Sequence, residues 1–95
     1  QKMNKLDKLL HQELRLAIVS YLSGVEWANF NKLLDVTEAT KGNLSVQIKK
    51  LENADYISIK KSFKDNYPLT QCKITPKGQK ALDAYISNLK DLLKL

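Results

Sequence analysis

Residues 40–75 decide the fold, and they read TKGNLSVQIKKLENADYISIKKSFKDNYPLTQCKIT. The first half of this stretch repeats its apolar residues with the period of a helix that is buried on one side. At 100° per residue these residues lie within about 60° of one another, and they are Leu44, Ile48 and Leu51. Thr40 is a good N-cap, so we expect a helix from residue 41 to about residue 54.

The second half alternates with period two, which is typical of β-strands. Ile57, Ile59 and Phe63 alternate with polar residues, residues 64–68 are rich in turn-forming types, and residues 71–74 alternate again. We therefore predict a β-hairpin over residues 56–74. Its apolar sides face each other when Ile57 pairs with Ile74 and Ile59 pairs with Cys72. Cys72 is then expected to be a small core residue rather than a reactive thiol.

The residues before this stretch predict two helices separated by a short strand. Apolar residues recur at three- and four-residue steps from about residue 4 to residue 23, and Ser23-Gly24 is a suitable end. Residues 25–29 are expected to form a stub of strand. Asn29 can cap a short helix from Phe30 to about Leu34, which residues 35–40 connect to the following helix.

After the hairpin, Thr75 and Pro76 are a typical N-cap and first helical residue, and the last helix is predicted to run to the end of the chain at residue 95. The chain is thus expected to be mainly α with a small β-hairpin, and its 95 residues fit one domain. A helix-turn-helix would cover residues 29–54.

The charge is concentrated in the middle of the chain. Residues 41–80 hold nine lysines and three acidic residues, which accounts for the whole net charge of +6. A basic surface on one part of a small domain indicates a polyanionic partner, whereas the alternative is a solvated, lysine-rich face.

The sequence argues against several classes of protein. The longest apolar run, residues 16–19, is far shorter than the roughly 18 residues of a membrane span, and the first residues lack the apolar part of a signal peptide. One cysteine cannot form an internal disulfide or a thiolate metal cage, and His11, the single histidine, precedes the core of the predicted fold, so no serine–histidine–aspartate site is nominated. We expect a cytoplasmic protein that is not an enzyme and has no cofactor or metal.

Four segments in this order carry a resemblance to a known family: HQELRLAI (11–18), FNKLL (30–34), NLSVQIKKLE (43–52) and ITPKG (74–78). With them the chain resembles the small winged-helix transcriptional regulators of bacteria and archaea, of the MarR-like type. The resemblance implies a winged helix-turn-helix with N- and C-terminal dimerisation helices, in which 43–52 enters the DNA major groove and the hairpin is the wing. The chain departs from the family at Asp55, where glycine is usual, and at the wing tip, which lacks an arginine.

Double-stranded DNA is the expected partner. Lysines of the third helix and the wing can neutralise phosphates, the amides of Asn43 and Gln47 can pair with adenine, and Val46 can contact a thymine methyl. Lys61 falls on the inner side of a strictly alternating strand, so we leave it out of the predicted set. The predicted DNA-binding residues are Lys41, Asn43, Ser45, Val46, Gln47, Lys49, Lys50, Lys60, Lys64 and Tyr67.

A homodimer through the terminal helices is also expected, because these helices carry more apolar residues than one small core needs. The predicted interface residues are Leu6, Leu9, Leu10, Leu82, Tyr85, Ile86, Leu89, Leu92 and Leu93. A two-fold dimer places two recognition helices about 34 Å apart, which favours a near-palindromic site. Repression is the expected output, because no segment is typical of an activation domain.

Two alternatives stay open. The first is a winged helix for protein–protein contact without specific DNA binding. The second is a regulator that senses an unknown small-molecule effector in a pocket at the dimer interface, lined by Tyr21, Trp27, Phe30 and Tyr85.

Overall fold

The structure, a computed structural model, describes residues 5–95 and consists of four helices and a three-stranded sheet within that range. The elements follow in the order α1 (Glu13–Leu22), β1 (Ala28–Asn29), α2 (Phe30–Thr37), α3 (Lys41–Asn53), β2 (Ile57–Lys64), β3 (Tyr67–Ile74) and α4 (Pro76–Leu93). The predicted winged helix-turn-helix is confirmed in its order of elements.

The first helix begins nine residues later than predicted, at Glu13 rather than at about residue 4, which itself lies outside the described residues. The carboxylate of Asp7 accepts hydrogen bonds from the backbone N–H groups of Leu9 (2.8 Å) and Leu10 (3.1 Å). This local turn competes with helix formation. Gln12 then caps α1, since its side chain accepts from the N–H of Arg15 (2.8 Å). The helical spacing of the leucines before residue 11 was therefore misleading.

The predicted caps of the other helices are confirmed. The side chains of Asn29, Thr40 and Thr75 each accept a hydrogen bond from the backbone N–H three residues further on, at 2.7, 3.2 and 3.0 Å. Pro76 is the first residue of α4. The prediction that α2 ends near Leu34 was wrong, because the helix continues until Glu38 adopts a left-handed conformation (φ 55°).

The end of α3 shows how the chain accommodates aspartate where glycine would ordinarily be expected. Asp55 is left-handed, with φ 63°. The N–H of Asp55 donates to the carbonyl of Glu52 (2.9 Å), and the N–H of Tyr56 donates to that of Leu51 (3.0 Å). These two bonds form a Schellman motif, which satisfies the last carbonyls of the helix.

The sheet has the order β1-β3-β2, with both pairs antiparallel. The predicted register is confirmed: Ile57 pairs with Ile74 and Ile59 with Cys72. The turn is shorter than predicted, because only Asp65 and Asn66 lie between the strands, both with positive φ (52° and 67°). A two-residue turn of this kind matches the twist of a hairpin, so the residues at 67 and 68 belong to β3.

The core lies where α1, α2 and α3 meet the base of the hairpin and the first half of α4. Leu44, Ile48 and Leu51 are buried as predicted, and so is Cys72, which is fully buried. Phe63, predicted to share the apolar face of β2, is instead 77% exposed. The hairpin extends beyond the core, so alternation continues past the point where there is anything to pack against.

Candidate nucleic-acid interface

The exposed side of α3 carries most of the predicted DNA-binding residues. Its inner side is fixed by three buried apolar residues, which turn the opposite side outward. The outward residues include the apolar Val46, 51% of whose surface is exposed. The exposed members of the predicted set on this helix are Lys41, Asn43, Ser45, Val46, Lys49 and Lys50.

Gln47 differs from the other predicted residues of α3 because it is buried, with 9% of its surface exposed. Its Oε1 accepts from Nη1 of Arg15 (2.5 Å) and its Nε2 donates to Oδ1 of Asn43 (2.9 Å). Both ends of the amide are thus engaged inside the protein. The expectation that Gln47 itself pairs with a base is not supported by this position.

Arg15 has a structural role that its sequence position did not predict. It is half-buried on α1, and its Nε donates to the carbonyl of Leu9 (2.6 Å). The available signal was its type, because Arg15 is the single arginine among 16 basic residues. A planar guanidinium is better suited than an ammonium to several directed hydrogen bonds.

The wing places a second group of lysines on the surface. Lys60, Lys61 and Lys64 are all exposed. Lys61 lies on the side of the hairpin that faces α3, together with Ile59, as alternation predicts, but that side is open to solvent at this position. Tyr67 pairs with Lys64 across the turn and is 75% exposed. The wing therefore presents three ammonium groups and, at its tip, a tyrosine.

A groove of 540 Å³ lies between α3 and the wing. Its lining residues come from α2, α3 and both long strands, and they are Phe30, Ser45, Ile48, Lys49, Glu52, Ile59, Lys61 and Thr70. Lys49 forms an exposed ion pair with Glu52 (3.1 Å) within it. Exposed pairs of this kind contribute little stability, so Lys49 can leave Glu52 for a phosphate at low cost.

The predicted interface residues separate into three groups by exposure. Leu10, Leu82 and Tyr85 are buried in the core of the single chain (0, 3 and 4% exposed), so they are core residues here, and the view that Leu10 has no place in that core was wrong. Ile86 and Leu93 are 42% and 56% exposed. The half-buried members are Leu6, Leu9, Leu89 and Leu92.

The aromatic residues proposed for an effector pocket have different surroundings. The hydroxyl of Tyr85 lies 2.9 Å from Nδ1 of His11, Trp27 lies beneath the ammonium of Lys73 (5.5 Å to the ring centroid), and Phe30 lines the groove beside α3. A shared pocket at a dimer interface stays a prediction.

Two groups, the half-buried Tyr56 and the buried Cys72, have altered acidity. Burial, reinforced by the hydrogen bond to Asp7 and its charge, raises the pKa of Tyr56 to about 12. Burial, with a smaller contribution from the charge of Glu52, raises the pKa of Cys72 to about 11. A thiol with a raised pKa is a poor nucleophile at neutral pH.

Within residues 5–95 no group of three or more His, Cys, Asp or Glu side chains could hold a metal ion, and no helix is long and apolar enough to cross a membrane.

Comparison with known families agrees with this arrangement. The sequence profile of the winged helix DNA-binding domain matches residues 14–93. The chain belongs to this winged-helix DNA-binding family. The family is not an enzyme family, which confirms the prediction that the chain is not an enzyme.

Relatives of this winged-helix chain include an uncharacterised protein of Methanocaldococcus jannaschii, 36% identical over 87 residues, which are 92% of this chain and 95% of that protein. A solved structure of a transcriptional regulator homologue from Pyrococcus horikoshii superposes with a TM-score of 0.84 at 29% identity, covering 90% of this chain and 85% of that one. AbsC, a MarR family transcriptional regulator from Streptomyces coelicolor, shares the fold (TM-score 0.69, 21% identity, 88% and 63% covered). The predicted winged helix is thus confirmed, and its fold is shared with a MarR family regulator.

Proposed function

We propose that this winged-helix chain is a transcriptional regulator that binds a near-palindromic DNA site as a homodimer and represses transcription. The observation that carries the proposal is the outward side of α3, where Asn43, Ser45 and Val46 lie between flanking lysines and beside a lysine-bearing wing. The similar protein from Pyrococcus horikoshii is a transcriptional regulator homologue, and this likeness supports the same function.

On DNA, the first turns of α3 would face base edges in the major groove. Asn43 provides an amide for a hydrogen bond, and Val46 provides a methyl surface for thymine. Lys41 and Lys50, at the two ends of the helix, would contact phosphates on either side of the groove. The wing lysines would add phosphate contacts without reading sequence.

The homodimer is supported by the second half of α4. Ile86 and Leu93 are exposed large apolar residues seven positions apart, so they lie on the same side of the helix. Leu89 and Leu92 are only half-buried between them. A second copy packed on this side would cover all four.

The function is tested by selecting binding sites from random duplexes at a fixed salt concentration. We expect a two-fold symmetric motif with half-sites one DNA turn apart, and we expect Asn43→Ala to lower affinity for the selected site by roughly 1–3 kcal/mol more than for random DNA. Recovery of no motif would contradict specific binding.

Repression is tested in vitro by placing the selected site over a promoter, where added protein should reduce transcript yield. The protein–protein alternative predicts a different result. A chain of that kind would recover no motif, and substitution of its wing lysines would leave its function unchanged.

A further inference from the structure

Three polar side chains form a relay from the inside of the domain to the outward side of α3. Arg15 donates to Oε1 of Gln47, and Nε2 of Gln47 donates to Oδ1 of Asn43 (2.9 Å). Arg15 is also tied to the carbonyl of Leu9 (2.6 Å). Its guanidinium is therefore held by two hydrogen bonds, one to the backbone before α1 and one to α3.

The chemistry of these groups fixes the direction of every bond in the relay. A guanidinium has donors and no acceptor, so only the oxygen of Gln47 can face Arg15. The nitrogen of Gln47 must then face Asn43, and only the oxygen of Asn43 can accept from it. Reversing either amide would bring two donors together beside the buried Gln47, which loses a hydrogen bond.

We propose that Arg15 is a positioning residue for base recognition, which acts through Gln47 to hold the Asn43 amide with Nδ2 directed to the DNA. This inference rests on the proposed DNA binding and deepens it. The Nδ2 group has no hydrogen-bond partner among residues 5–95, and Asn43 is exposed in the first turn of α3.

The direction of the hydrogen bonds in this relay also predicts which bases Asn43 can contact. An outward NH₂ group requires an acceptor on the base edge. Guanine N7 and O6, adenine N7 and thymine O4 are acceptors in the major groove, whereas cytosine offers only its N4 donor. The position opposite Asn43 should therefore exclude cytosine.

A single substitution should reverse this preference. In Gln47→Glu, both carboxylate oxygens accept, so Arg15 keeps its partner and forms an ion pair. The amide of Asn43 must then turn its NH₂ inward to Glu at position 47 and its oxygen outward. The outward oxygen accepts from cytosine N4 or adenine N6 and disfavours guanine.

The experiment is site selection from random duplexes with the unmodified chain and the Gln47→Glu, Arg15→Met and Lys64→Ala variants at one salt concentration. We expect Gln47→Glu to change the cytosine-to-guanine preference at one position per half-site by roughly 10-fold or more. Arg15→Met should weaken the exclusion of cytosine there without inverting it. Lys64→Ala, the matched phosphate-contact control, should leave the motif unchanged.

A measurement on the protein without DNA tests the relay separately. In nuclear magnetic resonance spectra, the side-chain NH₂ of Gln47 should exchange with solvent more slowly than that of Asn43. In Gln47→Glu the Asn43 NH₂ should become the slowly exchanging group. Unchanged exchange of Asn43 would overturn the relay, even if the variant still binds DNA.

The outcomes separate the two proposals. If the unmodified chain recovers no motif, the proposed function and the base reading by Asn43 both fail. If it recovers a motif that Gln47→Glu does not alter, the function stands and the positioning role of Arg15 is overturned. If Gln47→Glu does not fold, Gln47→Met replaces it: the exclusion of cytosine should then weaken, and its full retention overturns the proposal.

Discussion

Gly78, in the first turn of α4, lies directly against the backbone of Tyr56. A Cβ atom at this position would stand 2.1 Å from the carbonyl oxygen of Tyr56, 2.9 Å from its carbonyl carbon and 3.1 Å from Cγ1 of Ile74. The oxygen cannot easily move away, because it accepts a hydrogen bond from the N–H of Thr75 (3.0 Å). We therefore expect Gly78→Ala to destabilise the fold.

Two effects of opposite sign determine the magnitude. Replacing glycine with alanine inside a helix ordinarily stabilises it by about 1 kcal/mol. An ordinary contact begins near 3.4 Å, so α4 or the Asp55–Tyr56 turn must move by more than an ångström. Overpacking typically costs about 1–3 kcal/mol and sometimes more, and contact with hydrogen-bonded backbone belongs at the upper end. We expect a net loss of about 1–3 kcal/mol, or about 4–8 °C of melting temperature for each kcal/mol.

Gly42→Ala is the matched control, because Gly42 is also helical and a Cβ there meets nothing within 4 Å. That variant should be unchanged or up to about 1 kcal/mol more stable. Urea unfolding of both variants, followed by circular dichroism at one protein concentration, gives the comparison. A Gly78→Ala protein as stable as Gly42→Ala would refute the reasoning from the close approach.

Three further outcomes are expected. Ile86→Asp should give a folded monomer, because Ile86 is 42% exposed in the single chain. Sedimentation should show a mass near 10.9 kDa for this variant and twice that mass for the unmodified chain. A mass near 10.9 kDa for the unmodified chain would contradict the dimer. Lys64→Ala should reduce the slope of log affinity against log salt by about one unit per protomer on specific and random DNA alike, whereas an unchanged slope would show that the wing tip makes no phosphate contact. Cys72, fully buried and with its pKa raised to about 11, should react with a thiol reagent at neutral pH much more slowly than in urea, and equal rates would argue against its burial.

Local chemistry made much of the fold predictable. Asn29, Thr40 and Thr75 were predicted as N-caps from their residue types and their positions just before helical segments. All three caps were confirmed. The register of the hairpin followed from matching the apolar residues of two alternating strands. The caps depend on residues close in sequence, and the register depends on the pairing of two adjacent strands.

Two of the errors arose where a distant contact decides the outcome. The spacing of Leu6, Leu9 and Leu10 fits a helix, but the side chain of Asp7 forms a turn there and is anchored by a hydrogen bond from the hydroxyl of Tyr56. The angular position of Gln47 around α3 places it on the flank of the helix. Its position inside the protein depends on the hydrogen bond from Arg15 of α1, which residue spacing does not predict. Periodicity shows which side of an element a residue occupies, but not what meets it there.

The two residues of β1 connect the two parts of the molecule that the proposed function places on DNA. Ala28 and Asn29 pair with Cys72 and Gln71 at the base of the wing, and Asn29 also caps α2. No residue separates this strand from the helix, so the wing and the helix-turn-helix have no hinge between them at this point. On the proposed DNA site, the spacing between major-groove and wing contacts would consequently be set by the protein. Sites whose groove geometry differs from it must be bent or twisted to fit, and stiff sequences at uncontacted base pairs should be disfavoured for that reason alone.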